Sequence, residues 1–249
     1  MSTAPPPGGV SDPPFPDPDA RNVLVPGCAR CPALAGAREC IAWGNGPLDA
    51  DVVVVGEAPA AGDAPEASEA SAVGDPATGE SATADESATG EPGADPWRGG
   101  NWTGVAYTSR HSGRRVRALF ADLGDEPYYT NAVKCFPSDG EGSNREPTDA
   151  ERRRCGAHLL KELAQVAPAA VVPTGKHATA SVFALAGRDL EGFLEAVLSP
   201  VAWTALDATV VPILHPSYQD VWVSRLGYGP DEYRTAVGAA VEDALSERA

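Results

Sequence analysis

Four consecutive valines, Val52 to Val55, follow Asp51 and run into Gly56. A β-branched run with no polar side has no face to offer water. It reads as a strand covered on both faces, the setting of a parallel sheet in an α/β domain. Around it the chain alternates between periods. Val116, Leu119, Phe120 and Leu123 follow a helical spacing over 112–123, and Tyr128 to Val133 reads as a second strand. Thr148-Asp-Ala-Glu151 spells a capping box and opens a helix to about Val166. Ala169 to Val172 is a third strand, Lys176 to Ala186 a short helix, Thr209 to Leu214 a fourth strand and Asp231 to Leu245 a closing helix. Such alternation implies right-handed crossovers. The expected fold is therefore a three-layer α/β/α arrangement on a central, mainly parallel sheet of four strands. Sites in these sheets lie beyond the carboxyl ends of the strands. That rim gathers Glu57-Ala-Pro-Ala60, Asn131-Ala-Val-Lys134, Thr174-Gly175 and His215-Pro-Ser-Tyr218.

Two stretches do not fit such a domain. Residues 1–20 are mostly Pro, Gly, Asp and Ala, and residues 64–96 are an acidic low-complexity segment without Lys or Arg. Neither buries enough apolar surface to offset its ordering entropy, so a disordered tail and a disordered insert are expected. Residues 21–249 are then one domain interrupted by the insert.

The chain carries 35 acids against 19 bases, a formal charge of −16. Only Lys134, Lys161 and Lys176 are lysines. Acid excess with scarce lysine suits a protein of concentrated salt, such as a halophile's, where a Debye length of roughly 3 Å at about 1 M mutes surface repulsion. Trp97 to Ala118 is the exception, with five arginines and no acid. No apolar run is long enough to span a membrane, and the first residues lack a basic-then-apolar signal pattern, so a cytoplasmic location is expected. Five cysteines in a cytosolic chain point to ligation rather than disulfides. By spacing alone zinc and an iron–sulfur cluster are both open.

The motifs, in order, resemble those of the family 4 and family 5 uracil-DNA glycosylases over nearly all of the chain outside the tail and insert. Cys28-Ala-Arg-Cys31 with Leu34 and Arg38 is similar to their C-x-x-C-x-x-L-x-x-x-R. Gly56-Glu-Ala-Pro-Ala60 resembles the family 4 GEAPG, and Gly100-Asn-Trp-Thr-Gly104 the family 5 G-N-R-T-G. Tyr107 stands where the family has Phe. Thr130-Asn-Ala-Val-Lys-Cys135 resembles TNVVKC, Cys155 falls in the next helix, and His215-Pro-Ser217 closes the series.

The resemblance implies a monomeric hydrolase that excises uracil from single- or double-stranded DNA after base flipping. A flipped base needs an aromatic face, an amide that both donates and accepts, and a donor for the leaving anion. Tyr107, Asn131 and His215 are implied in those roles, with Gly56 and Ala58 also in the substrate site. Glu57 and Asp63 compete as the catalytic carboxylate, since the family 5 acid is replaced by Arg110. Cys28, Cys31, Cys135 and Cys155 are implied to hold a structural 4Fe–4S cluster, with zinc the lesser alternative. Each residue also has a plainer reading: Tyr107 as core aromatic, Asn131 as strand-end cap, His215 as loop ligand, Asp63 as solvated loop, Cys40 as small buried filler. Residues 218–222 are expected to form a loop that enters the duplex. The competing readings are a catalytically silent DNA-binding relative and a zinc-bound hydrolase of other chemistry.

Overall fold

The computed structural model describes residues 13–64, 95–121 and 124–247. Five strands form one sheet: β1 (Val52–Gly56), β2 (Tyr128–Asn131), β3 (Ala170–Pro173), β4 (Val201–Trp203) and β5 (Ala208–Val210). Their order is β2-β1-β3-β5-β4. β1 pairs in parallel with β2 and β3, and β3 with β5, whereas β4 runs antiparallel to β5 at the edge. The expected count of four is thus corrected to five. β4 is three residues long, too short to show a period, and it forms by hairpin pairing with β5 rather than by an apolar run.

The helices are α1 (Pro32–Ala37), α2 (Gly100–Thr103), α3 (Ser112–Phe120), α4 (Asp149–Val166), α5 (Lys176–Leu185), α6 (Phe193–Ala196), α7 (Gln219–Trp222) and α8 (Pro230–Ser246). α4 starts where its capping box predicts: Thr148 Oγ1 accepts from the Glu151 backbone, and the Glu151 carboxylate accepts from the Thr148 backbone. α3 ends at Phe120, and Leu123 lies outside the described residues. Among the described residues no helix is long and apolar enough to cross a membrane.

The four valines divide by parity, as side chains of a strand must. Val52 and Val54 join Val116 and Phe120 of α3 and Val237 and Val241 of α8. Val53 and Val55 join Leu159 and Leu163 of α4 and Val182 of α5. Every residue of β1 is buried, which is why the run has no polar member. A third apolar group gathers Leu34, Ile41, Trp43, Val133, Cys135 and Cys155, with Cys28 and Cys31 against it.

The two anomalous stretches are only partly described. Most of 1–20 and 64–96 lies outside the described residues. Pro18–Ala20 of the expected tail, however, is a 3-10 turn capped by Asp17. Phe15 meets the Trp97 ring edge-on at 5.3 Å. The aromatic is what gives this end of the tail something to bury. At the insert's base, the Asp63 N–H donates to the Arg98 carbonyl at 2.9 Å, which brings the two ends together.

Candidate active site

From β1 the chain first adds β2 on one side and then β3 on the other. Such a reversal opens a crevice beyond the strand ends. A cleft of about 410 Å³, counting its open mouth, lies there. Gly56 ends β1 and Glu57 follows it, Asn131 ends β2, Thr174 follows β3, and His215 and Pro216 follow β5; Tyr107 and Ala58 are also in the wall. Of the sequence-derived candidates, Gly56, Glu57, Ala58, Tyr107, Asn131 and His215 come together. Asp63 does not line the cleft. It pairs with Arg110 at 3.3 Å, and both side chains are more than half exposed. The chain turns at Gly62, in the left-handed region at φ +67°, and carries Asp63 outward into the insert's base.

Two glycines make the approach possible. A Cβ on Gly56 would fall 2.3 Å from Asn131 Oδ1 and 2.9 Å from the Tyr107 hydroxyl. A Cβ on Gly175, whose φ is +86°, would fall 2.9 Å from that of His215. Asn131 is 4% exposed, and its Nδ2 is a buried donor with no partner. Behind it the Lys134 ammonium donates to the Asn131 carbonyl at 2.6 Å, to Thr130 Oγ1 at 2.6 Å and to the Glu162 carboxylate at 2.5 Å. This fully buried pair holds the turn that presents Asn131. Lys134 was legible only as a motif letter, because its partner Glu162 lies a helix away.

His215 Nδ1 accepts from the Ser217 N–H at 3.2 Å, so the ring hydrogen of the neutral form sits on Nε2. Burial lowers the affinity of this ring for a second proton. Glu57 is the reverse case. Burial raises its carboxyl above the ordinary range, Glu146 adds to this, and His177 and Arg152 oppose it. His177 bridges those neighbours, with Nε2 3.1 Å from Glu146 and Nδ1 3.1 Å from Arg152. Tyr107 occupies the left-handed region at φ +56°. Its carbonyl accepts from Arg117 Nε at 3.1 Å, its ring meets Tyr129 edge-on, and its hydroxyl lies 2.8 Å from Thr174 Oγ1. A bulky residue there costs of order 1–3 kcal/mol and persists only under such constraint.

The arginines from Trp97 to Ala118 are less available than the sequence suggests. Arg117 is buried with its guanidinium 4.1 Å over Tyr129. Arg110 and Arg114 each reach Asp95 at 3.0 Å, and Arg115 donates to the Pro216 carbonyl. Asp95, just outside the acid-free stretch, supplies the opposing charge.

Four of the five cysteines share the third apolar group. Cys28 and Cys31 bracket the entry to α1, Cys135 follows β2 and Cys155 lies in α4. Three receive nitrogen neighbours: Cys28 from His158 Nε2 at 3.3 Å, Cys135 from the Arg38 guanidinium at 3.0 Å, Cys155 from the Lys134 backbone N–H at 3.3 Å. Burial pushes the Cys135 thiol up, against Arg38, and the Cys155 thiol up to about 11. Cys28, Cys31 and Cys135 are close enough to Cys135 or Cys155 for their charges to repel. Cys40 stands apart, its Sγ 3.7 Å from the Trp102 carbonyl. Among the described residues no three His, Cys, Asp or Glu side chains are arranged to hold a single metal ion.

Fold and cleft together describe an α/β protein with a cleft of mixed polar and apolar lining at its strand ends. The Uracil DNA glycosylase superfamily matches residues 91–236. The chain is similar to the type-5 uracil-DNA glycosylase of Pyrobaculum aerophilum, 32% identical over 239 residues, covering 84% of this chain and 85% of the relative. It is also similar to the type-4 uracil-DNA glycosylase of Thermotoga maritima, 29% identical over 194 residues and 77% of each chain. The chain belongs to the uracil-DNA glycosylase superfamily.

Proposed function

We propose that this chain is a DNA-repair glycosylase that hydrolyses the N-glycosidic bond of uracil in DNA, with residues 21–249 as one catalytic domain acting as a cytoplasmic monomer. The observation that carries this reading is the buried, unpartnered Asn131 Nδ2 in a cleft shared with Tyr107 and His215. A buried donor without a partner costs about 1–3 kcal/mol, which a ligand carbonyl removes. An amide beside an aromatic wall suits a flipped base, since it donates to one atom of the edge and accepts from the next.

Uracil leaves as an anion. The Nε2–H of a neutral His215 is a fixed donor for that charge and needs no proton transfer. The Glu57 carboxylate is the acid of the cleft. It stabilises the sugar cation or orients the water that replaces the base; burial raises its carboxyl above the ordinary range, and His177 and Arg152 offset part of that rise toward the ionised form this role needs. Asp63 lies outside the cleft beside Arg110, and this reading therefore gives the role to Glu57. Tyr218 and Val221 are 60% and 61% exposed after His215 and suit the wedge that fills the duplex when the base leaves.

Cys28, Cys31, Cys135 and Cys155 would hold the cluster. The donor set fits: four thiols, two of them buried and costly to ionise alone, with N–H groups aimed at two sulfurs and the His158 ring nitrogen beside a third. Bound there, a 4Fe–4S cluster supplies a structural cross-link between the N-terminal segment, β2 and α4.

The test is single-turnover release of uracil from an oligonucleotide by the wild type and His215→Ala. Losing one preorganised donor costs about 10²–10³ in rate. DNA affinity should barely move, since phosphate contacts dominate it. A wild type that binds the oligonucleotide and releases nothing would establish the silent relative instead.

A further inference from the structure

We propose that the hydroxyls of Tyr107 and Thr174 act as one shared donor, a specificity-determining pair that offers a single O–H to a carbonyl of the bound base. The inference rests on the excision reading and adds a residue, Thr174, that no motif marks. Both residues line the cleft, and Thr174 is 1% exposed. Their oxygens are 2.8 Å apart, and neither hydroxyl makes another hydrogen bond among the described residues.

The count of hydrogens decides the rest. Each hydroxyl carries one hydrogen and two acceptor lone pairs. Their mutual bond consumes one hydrogen, whichever group donates it. One O–H is therefore always left over, in a cleft where Thr174 is almost fully buried and Tyr107 partly so. The spare O–H lies near the Asn131 amide, because the atom that a Cβ on Gly56 would strike at 2.9 Å is the Tyr107 hydroxyl and the one at 2.3 Å is the amide oxygen Asn131 Oδ1, while the idle donor Nδ2 of the same amide is also buried. The amide and the hydroxyl pair thus meet over the same glycine. The amide Nδ2 and the spare O–H are then two donors of one cleft, and they favour a base that presents carbonyl oxygens. An exocyclic amine would face one of them donor to donor. The family motif has Phe at this position, which cannot form the pair, so the device belongs to this chain.

Sharing predicts an unusual pattern of loss. Thr174→Val leaves the Tyr107 hydrogen free to donate, and Tyr107→Phe leaves that of Thr174. Each single variant should slow single-turnover uracil release only about two- to fivefold. Tyr107→Phe with Thr174→Val removes both hydrogens and should slow it about 10- to 100-fold beyond the product of the singles, the cost of an unmet buried carbonyl. Thr174→Ser in the Tyr107→Phe background keeps the hydroxyl and should restore most of the rate, which a packing role of the Thr methyl would not do. Unchanged melting temperatures exclude loss of fold. An additive cycle, or Thr174→Val alone matching the double variant, overturns the pair and leaves the excision reading standing. A wild type that releases no uracil overturns both.

Discussion

Asn131, His215 and Glu57 illustrate how one rim gives neighbouring groups different electrical states. Burial favours the neutral form of His215, and the Ser217 N–H donated to Nδ1 fixes the hydrogen of that form on Nε2. Glu57 sits against His177 and Arg152, which pull its carboxyl back toward ionisation. Asn131 has its backbone held by Lys134 while its buried side-chain donor has no partner among the described residues. Asn131→Asp keeps the shape and replaces that donor by an acceptor. Uracil release should fall by at least tenfold, with discrimination against cytosine falling too, as measured on paired oligonucleotides carrying either base. Retention of wild-type rate and selectivity would place recognition elsewhere.

At the scale of elements, the start of α4 and the base of the insert make separable claims. Glu151 closes the capping box and takes Arg145 in a two-point pair at 2.7 and 2.8 Å. These contacts hold its carboxyl down to about 2. A depressed folded-state value means that the stabilisation is present above the ordinary carboxylate range and is lost as pH falls toward 2. Glu151→Gln should cost about 1–2 kcal/mol in urea melts at neutral pH, and the difference from wild type should shrink in acid. The insert is the opposite case. Its ends already meet through Asp63 and Arg98, and loop-closure cost varies slowly with length. Replacing residues 66–94 by a short Gly-Ser link should therefore change uracil release less than about threefold. A folded deletion variant without activity would bring the insert into the site.

Over the whole molecule, the cysteine group joins parts distant in sequence. It ties the segment around α1 to the end of β2 and the first half of α4, next to the turn that carries Asn131 and Lys134. Cys28→Ala or Cys135→Ala should lose bound iron and most soluble protein. Cys40→Ala, outside the group, should keep both. Iron content and visible absorbance of the purified variants decide between them, and iron loss in Cys40→Ala alone would overturn the ligand set.

The chain's own order of residues determined the β1 run, the α4 capping box and the motif series, because these depend on neighbours a few positions apart. From them the sheet, its rim and six of the cleft residues were legible. What depended on distant partners was not. Asp63 and Glu57 are equivalent as letters, and only the fold shows that Glu57 lines the cleft while Asp63, past the turn at Gly62, lies outside it beside Arg110. The arginines of 98–117 read as a basic stretch until Asp95 and the core claim three of them. Thr174 was legible only as a rim position and Glu162 carried no local signature. Their roles arise from hydrogen bonds to Tyr107 and Lys134, 67 and 28 positions away, and bonds of that kind exist only once the strands have been laid side by side.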